Sequence, residues 1–177
     1  RLLDEMKKNN IAPNTITYSA AISACEKGGQ WQEALRLLDE MKKNNIAPNT
    51  ITYSAAISAC EKGGQWQEAL RLLDEMKKNN IAPDTITYSA AISACEKGEQ
   101  WQEALRLLDE MKKNNIAPNT ITYSAAISAC EKGGQWQEAL RLLDEMKKNN
   151  IAPNTITYSA AISACEKGGQ WQEALRL

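Results

Sequence analysis

The chain has 177 residues, a net charge of −1, no His and no Phe, and five each of Trp, Tyr, Met, Cys and Pro. A near-neutral balance excludes a bulk electrostatic pull on nucleic acid or on a membrane surface, and no apolar run approaches the roughly 18 residues of a membrane span. Equal counts of five residue types point to repetition.

The period is 35. The unit TITYSAAISACEKGGQWQEALRLLDEMKKNNIAPN begins at Thr15 and returns at Thr50, Thr85, Thr120 and Thr155. The chain thus divides into a partial repeat at 1–14, full repeats at 15–49, 50–84, 85–119 and 120–154, and a partial repeat at 155–177, all in a single array. Only two letters differ among the aligned copies: Asp84 stands where the others have Asn, and Glu99 where they have Gly. Natural repeats drift, so near-identity points to a consensus design or a very recent duplication, with design the favoured reading. Arg1-Leu2 and Arg176-Leu177 fall at the same place inside the unit, so the chain reads as an excerpt of a longer array. Uncapped, identical ends predict head-to-tail association. The five Cys lie 35 apart with no paired spacing, which argues against a disulfide framework and against a zinc site. No metal and no cofactor are expected, and no targeting segment is visible to assign a localisation.

In chain order, residues 1–14 carry the end of a helix, its KKNN terminus and the Ile11-Ala12-Pro13 break. The first complete repeat then opens with Asn14 or Thr15 as an N-cap, whose side-chain oxygen accepts from an orphan amide. Tyr18, Ala21, Ile22 and Cys25 follow at i, i+3, i+4 and i+7, one apolar face of a first helix. Gly28 is expected to end it in the left-handed conformation; since Glu99 replaces only the second Gly of the KGG triplet, the second position is expected not to need that conformation. A second helix carries Trp31, Ala34, Leu35, Leu38 and Met41 on one face. It closes on Lys42-Lys43, cations where the helix dipole favours them, and Pro48 disfavours helix for the residue before it. Five first helices, four complete second helices and half a second helix at each end are expected. The fold class is all-α: a right-handed α-solenoid superhelix of helix-turn-helix repeats, each burying its stripe against its neighbours.

The TYS…I opening, the LLDEMKKNNIAPN ending and the period of 35 resemble the pentatricopeptide repeat over the entire chain. Tetratricopeptide repeats share the general plan but run 34 residues. The resemblance implies single-stranded RNA as partner, read one base per repeat by two or three side chains. It implies base-reading roles for Ser19 with Asn49, Ser54 with Asp84, Ser89 with Asn119 and Ser124 with Asn154. Ser159 is a first reader whose partner lies beyond Leu177, and Asn14 a second reader whose own repeat is cut away. Ile16, Ile51, Ile86, Ile121 and Ile156 are similar to the apolar residues that pack on base faces. Lys27, Lys62, Lys97, Lys132 and Lys167 are similar to phosphate contacts. Away from the apolar stripe, Ser19, Ser23, Glu26 and Lys27 would form an open polar face.

Asn offers one donor and one acceptor, whereas Asp only accepts. Asn therefore suits adenine, and Asp suits guanine or uracil. The family's pairing rule, Ser with Asp for guanine and Ser with Asn for adenine, implies A-G-A-A read 5′ to 3′ along the four complete repeats. Capping alone also accommodates either residue, since Asn and Asp are comparable N-caps. Four or five lysine–phosphate contacts would give a log–log salt slope of roughly −3 to −3.5, and so short an array should bind at micromolar affinity or weaker.

Catalysis is not expected. The usual general base is absent with His, each Cys sits in an apolar stripe where thiols are inert, and Asp39-Glu40 belong to a charged helix face with Lys42 and Lys43. The rival readings are a peptide-binding helical-repeat module, for which the groove is poor in aromatic anchors, and a designed structural scaffold with no RNA function.

Overall fold

The computed structural model describes residues 2–177; Arg1, the first residue of the partial repeat, lies outside them. Among the described residues there are eleven helices and no strand. They are α1 (Leu2–Lys8), α2 (Thr15–Lys27), α3 (Trp31–Lys43), α4 (Thr50–Lys62), α5 (Trp66–Lys78), α6 (Thr85–Lys97), α7 (Trp101–Lys113), α8 (Thr120–Lys132), α9 (Trp136–Lys148), α10 (Thr155–Lys167) and α11 (Trp171–Arg176). The even-numbered members from α2 to α10 are the first helices of the repeats and the odd-numbered ones the second helices, as the 35-residue period requires. Among the described residues no helix is long and apolar enough to cross a membrane.

Each first helix starts where the sequence places a cap. Asn14 is extended, at φ −122° and ψ −176°, and its Oδ1 accepts from the Thr17 amide at 2.9 Å. The Asn14 amide in turn donates to Thr17 Oγ1 at 3.2 Å, closing a capping box. The same box recurs at Asn49, Asp84, Asn119 and Asn154.

Helix ends follow one geometry, and it corrects the sequence reading of the glycines. Gly28 has φ −84°, ordinary helical territory, while Gly29 has φ +67°. The Gln30 amide donates to Cys25 O at 2.9 Å and the Gly29 amide to Glu26 O at 3.2 Å, the paired bonds of a Schellman motif with its left-handed residue at the second Gly. The first Gly is required for a different reason. A Cβ at Gly63 would lie 2.3 Å from Trp31 Cδ1, and one at Gly133 2.2 Å from Trp101 Cδ1. Glu99 therefore sits in the conformation that suits Gly, at φ +58°. The second helices end the same way with Asn in the left-handed position, for example Asn45 at φ +56° with Ile46 N donating to Met41 O at 3.0 Å. Asn tolerates that region better than most residues.

The chain divides into two compact units, one ending at Pro83 and one running from Asp84 to Leu177. In the first, α2 packs on α3 and α4, and α4 on α5. In the second, α6 packs on α7 and α8, α8 on α9 and α10, and α10 on α11. Tyr53, Ala56, Ile57 and Cys60 are fully buried, as are Ala69, Leu72 and Met76. Full burial of an Ile, Leu or Met side chain contributes about 1.5–3 kcal/mol, so stacking supplies what a lone hairpin lacks. In α3 the buried stripe includes Leu37, whereas Leu35 is half-buried. The stripe continues in polar form. Tyr53 Oη donates to Glu75 Oε1 at 2.8 Å and accepts from Asn79 Nδ2 at 3.1 Å. Threonine hydroxyls at helix starts fasten the loop that closes their own repeat: Thr15 Oγ1 donates to Ala47 O at 3.0 Å and Thr85 Oγ1 to Ala117 O at 2.9 Å.

Candidate nucleic-acid interface

The N-terminal turns of the first helices carry three side chains per repeat that the sequence marks as functional. The isoleucine is the outermost. Ile51, Ile86, Ile121 and Ile156 are 62–65% exposed and Ile16 is 78% exposed. An exposed Ile recurring at one place in every copy is not core, although the tyrosine two residues later is fully buried in α2, α4, α6 and α8.

The residue that the resemblance marks as second reader is the N-cap itself. Asn14, Asn49, Asp84, Asn119 and Asn154 are all exposed. The cap dictates how each presents itself. Oδ1 of Asn49 accepts from Thr52 N at 3.0 Å and from Thr52 Oγ1 at 2.9 Å. Two inward donors require the carbonyl end of the amide, so Nδ2 is left pointing away from the cap as a donor. At Asp84 the inward oxygen accepts from Thr87 N at 2.9 Å and Thr87 Oγ1 at 2.7 Å, which leaves the second carboxylate oxygen as an acceptor. By composition Asn offers both a donor and an acceptor; in the fold its acceptor is committed to the helix.

The serine that the resemblance marks as first reader is less open than expected. Ser19, Ser54, Ser89 and Ser124 are buried, with 6–8% residual exposure, and only Ser159 is exposed. Ser19 Oγ lies 2.7 Å from Thr52 Oγ1 of the next repeat, Ser89 Oγ 2.7 Å from Thr122 Oγ1, and Ser124 Oγ 2.8 Å from Thr157 Oγ1. Periodicity along one helix places Ser19 off the apolar stripe correctly, but it cannot show that the next repeat covers it.

In the C-terminal unit these side chains converge. A cleft of about 300 Å³ is lined by Ile121 and Ile156, by Ser124 and Asn154, and by Ser93, Glu96, Ala125 and Ser128. Both residues that the resemblance marks as readers in the repeat at 120–154, and the isoleucines of two successive repeats, thus line one space.

The lysines stand beside this face with partners. Lys132 Nζ lies 2.6 Å from Glu96 Oε1, while Lys62 pairs with Glu26 and Lys167 with Glu131. In each case the glutamate is the residue preceding the equivalent lysine one repeat earlier. Lys27 has no carboxylate within ion-pair distance among the described residues. The sequence reading missed these inter-repeat pairs, because Glu26 and Lys62 are 36 positions apart.

Cysteine chemistry is suppressed. Burial pushes the Cys60, Cys95 and Cys130 thiols up to about 12, far from the thiolate state that reacts. Among the described residues no group of His, Cys, Asp and Glu could hold a metal ion.

The pentatricopeptide repeat domain model matches residues 1–63, 36–98, 71–133 and 106–167. The chain belongs to the pentatricopeptide repeat family. The crystal structure of the pentatricopeptide repeat protein PPR10 from maize matches with a TM-score of 0.70 at 34% identity, covering 99% of this chain and 25% of that one. PPR10 in complex with an 18-nt psaJ RNA element matches with a TM-score of 0.78 at 23% identity, over 98% of this chain and 26% of that one. The PPR domain of Arabidopsis thaliana protein-only RNase P 1, solved in complex with tRNA, matches with a TM-score of 0.79 at 17% identity, over 92% of this chain and 87% of that domain. The pentatricopeptide repeat chain described here thus spans about a quarter of the length of the PPR10 structures. No curated protein sequence matches it.

Proposed function

We propose that the chain binds single-stranded RNA, one base per repeat, with A-G-A-A read 5′ to 3′ by the repeats from 15 to 154. The observation that carries this reading is the cleft between Ile121 and Ile156. It has apolar side chains of two successive repeats in its wall, and its polar lining includes the two side chains, Ser124 and Asn154, that the family resemblance marks as readers. Bases of any identity have apolar faces, so the isoleucines supply contact without selectivity. Selectivity then falls to the cap residue. The outward amide of Asn donates to an acceptor ring nitrogen, as adenine N1 provides. The outward oxygen of Asp84 accepts from a ring N–H, as guanine N1 provides. Membership of a family that includes RNA-bound PPR10 supports the same reading, as does the position of the Asn-to-Asp difference, which reverses hydrogen-bonding sense at an exposed cap residue while leaving the capping box intact. The lysines contribute phosphate contacts in competition with their glutamate partners, and catalysis has no part in the activity.

The test is the Asp84→Asn variant. Binding of short RNAs containing AGAA or AAAA is measured for both proteins by fluorescence anisotropy. The wild type is expected to favour AGAA and the variant AAAA, each by roughly 5- to 100-fold, the range of one bidentate-class discrimination of about 1–3 kcal/mol. A preference that does not move with the substitution, or no RNA binding by either protein, refutes the proposal and leaves the scaffold readings.

A further inference from the structure

The threonine directly after each of these isoleucines, Thr52, Thr122 or Thr157, is fully buried and has no surface to offer a ligand. Its hydroxyl nevertheless touches both readers of one repeat. Thr157 Oγ1 lies 2.8 Å from Ser124 Oγ, accepts from the Asn154 amide at 3.2 Å and donates to Asn154 Oδ1 at 2.8 Å. The same three contacts occur at Thr52, at 2.7, 3.1 and 2.9 Å, and at Thr122, at 2.7, 3.1 and 3.0 Å.

Proton counting gives these contacts a direction. A threonine hydroxyl has one proton and two lone pairs. The backbone N–H of Asn154 must donate, so it takes one lone pair of Thr157. Asn154 Oδ1 already accepts from Thr157 N at 2.9 Å, which fixes that end of the amide as the carbonyl and makes it the acceptor of the threonine proton. Only one lone pair then remains for Ser124, so the serine must donate. Its hydroxyl proton is committed inward, and what Ser124 shows the cleft is an acceptor. Asn154 shows the cleft a donor for the reason already given. One buried hydroxyl therefore holds the two readers in opposite senses.

From this arrangement we infer that Thr52, Thr122 and Thr157 are specificity-determining positioning residues: each fixes its repeat's serine as an acceptor and its asparagine as a donor. The inference rests on the RNA-reading proposal. Adenine carries an exocyclic amine donor beside an acceptor ring nitrogen and complements this pair. Guanine carries a carbonyl acceptor beside a ring N–H donor and opposes it at both places. A serine released from its threonine can turn its proton outward to the guanine carbonyl, which removes one of the two oppositions.

The test uses Thr157→Val, which keeps the shape and loses the hydroxyl, with Thr157→Ser as the conservative counterpart. Affinities are measured for RNAs differing only at the fourth base, AGAA against AGAG, and in parallel only at the second, AGAA against AAAA. Thr157→Val is expected to cut the fourth-base preference for adenine roughly 3- to 10-fold, the worth of one ordinary hydrogen bond, with the second-base preference unchanged. Thr157→Ser is expected to keep both. A merely structural role would weaken all three complexes together and leave both ratios intact, and that result overturns the inference. Should Thr157→Val lose its helical circular dichroism, Thr52→Val read at the first base decides the matter by the same ratios. The two levels separate cleanly. If Asp84→Asn does not move the second-base preference, the RNA reading falls and takes the relay with it. If Asp84→Asn moves it while the valine variant keeps its fourth-base ratio, the relay alone is overturned.

Discussion

Replacing Glu96 and Glu131 together by Gln should tighten RNA binding and steepen its salt dependence. Lys132 Nζ lies 2.6 Å from Glu96 Oε1, and Lys167 pairs with Glu131, which also accepts from Ser163 Oγ at 3.1 Å. A phosphate recruiting either lysine competes with that carboxylate for the ammonium group. The lysine side chains are 34% and 49% exposed and the glutamates 18% and 16%, so the pairs belong with partly solvated ion pairs worth about 0.2–1 kcal/mol each. Two such releases amount to a gain of roughly 2- to 30-fold in affinity if they add, as separate sites do. Each lysine freed for phosphate also steepens the log–log salt slope by about 0.7 for a single strand, so by about 1.4 for both. The assay is fluorescence anisotropy with a labelled AGAA-containing RNA, titrated between about 50 and 200 mM salt. The double substitution removes two negative charges and takes the chain from −1 to +1. A control with the same charge change therefore accompanies it: Glu68→Gln with Glu138→Gln, whose carboxylates pair with Arg71 and Arg141 on the second helices. Equal gains in the two doubles, or an unchanged slope in the first, would refute local competition between glutamate and phosphate.

Two further outcomes concern stability. Glu99→Gly should raise thermal stability by about 1 kcal/mol, because it relieves a non-Gly residue at φ +58°. Gly133→Ala should lower it, since the new Cβ would lie 2.2 Å from Trp101 Cδ1; melting curves that rank the two substitutions the other way contradict the helix-end assignment. Alkaline pH should also destabilise the fold. Burial first, and then hydrogen bonding to Glu75, Glu110 and Glu145, pushes Tyr53, Tyr88 and Tyr123 up to about 12, and burial holds Cys60, Cys95 and Cys130 at about the same value. The unfolded chain ionises these groups from about pH 8.5 to 10, so it binds fewer protons than the fold in that range. Stability is thus full below about pH 8.5 and is lost as pH rises toward 12. Chemical denaturation across this range checks the sign, and midpoints that rise with pH would contradict it.

What can be read from the sequence is what one repeat contains within itself. The period of 35, the Tyr18/Ile22 face, the caps at Asn14 and its equivalents and the break at Pro48 are all local, and the helices begin and end where those signals stand. The exposed isoleucines follow as well, because Ile16 lies off the buried face of its own helix. The glycine assignment failed by one position for a local reason: the Schellman motif puts its left-handed residue one step beyond the helix cap, at Gly29. The reason for Gly63, by contrast, is not local, because the Trp31 ring it accommodates belongs to the preceding repeat.

Tertiary structure decided everything that depends on one repeat meeting the next. It covered Ser19, Ser89 and Ser124 with threonines 33 positions away, and it paired Lys62, Lys132 and Lys167 with glutamates 36 positions away. It also gave Asn and Asp84 a direction, committing one oxygen to the helix and leaving the other atom outward. The sequence determines which atoms a turn possesses. Which of them face a ligand depends on how many donors the neighbouring helix has already directed at them, and that is settled only when the repeats stack.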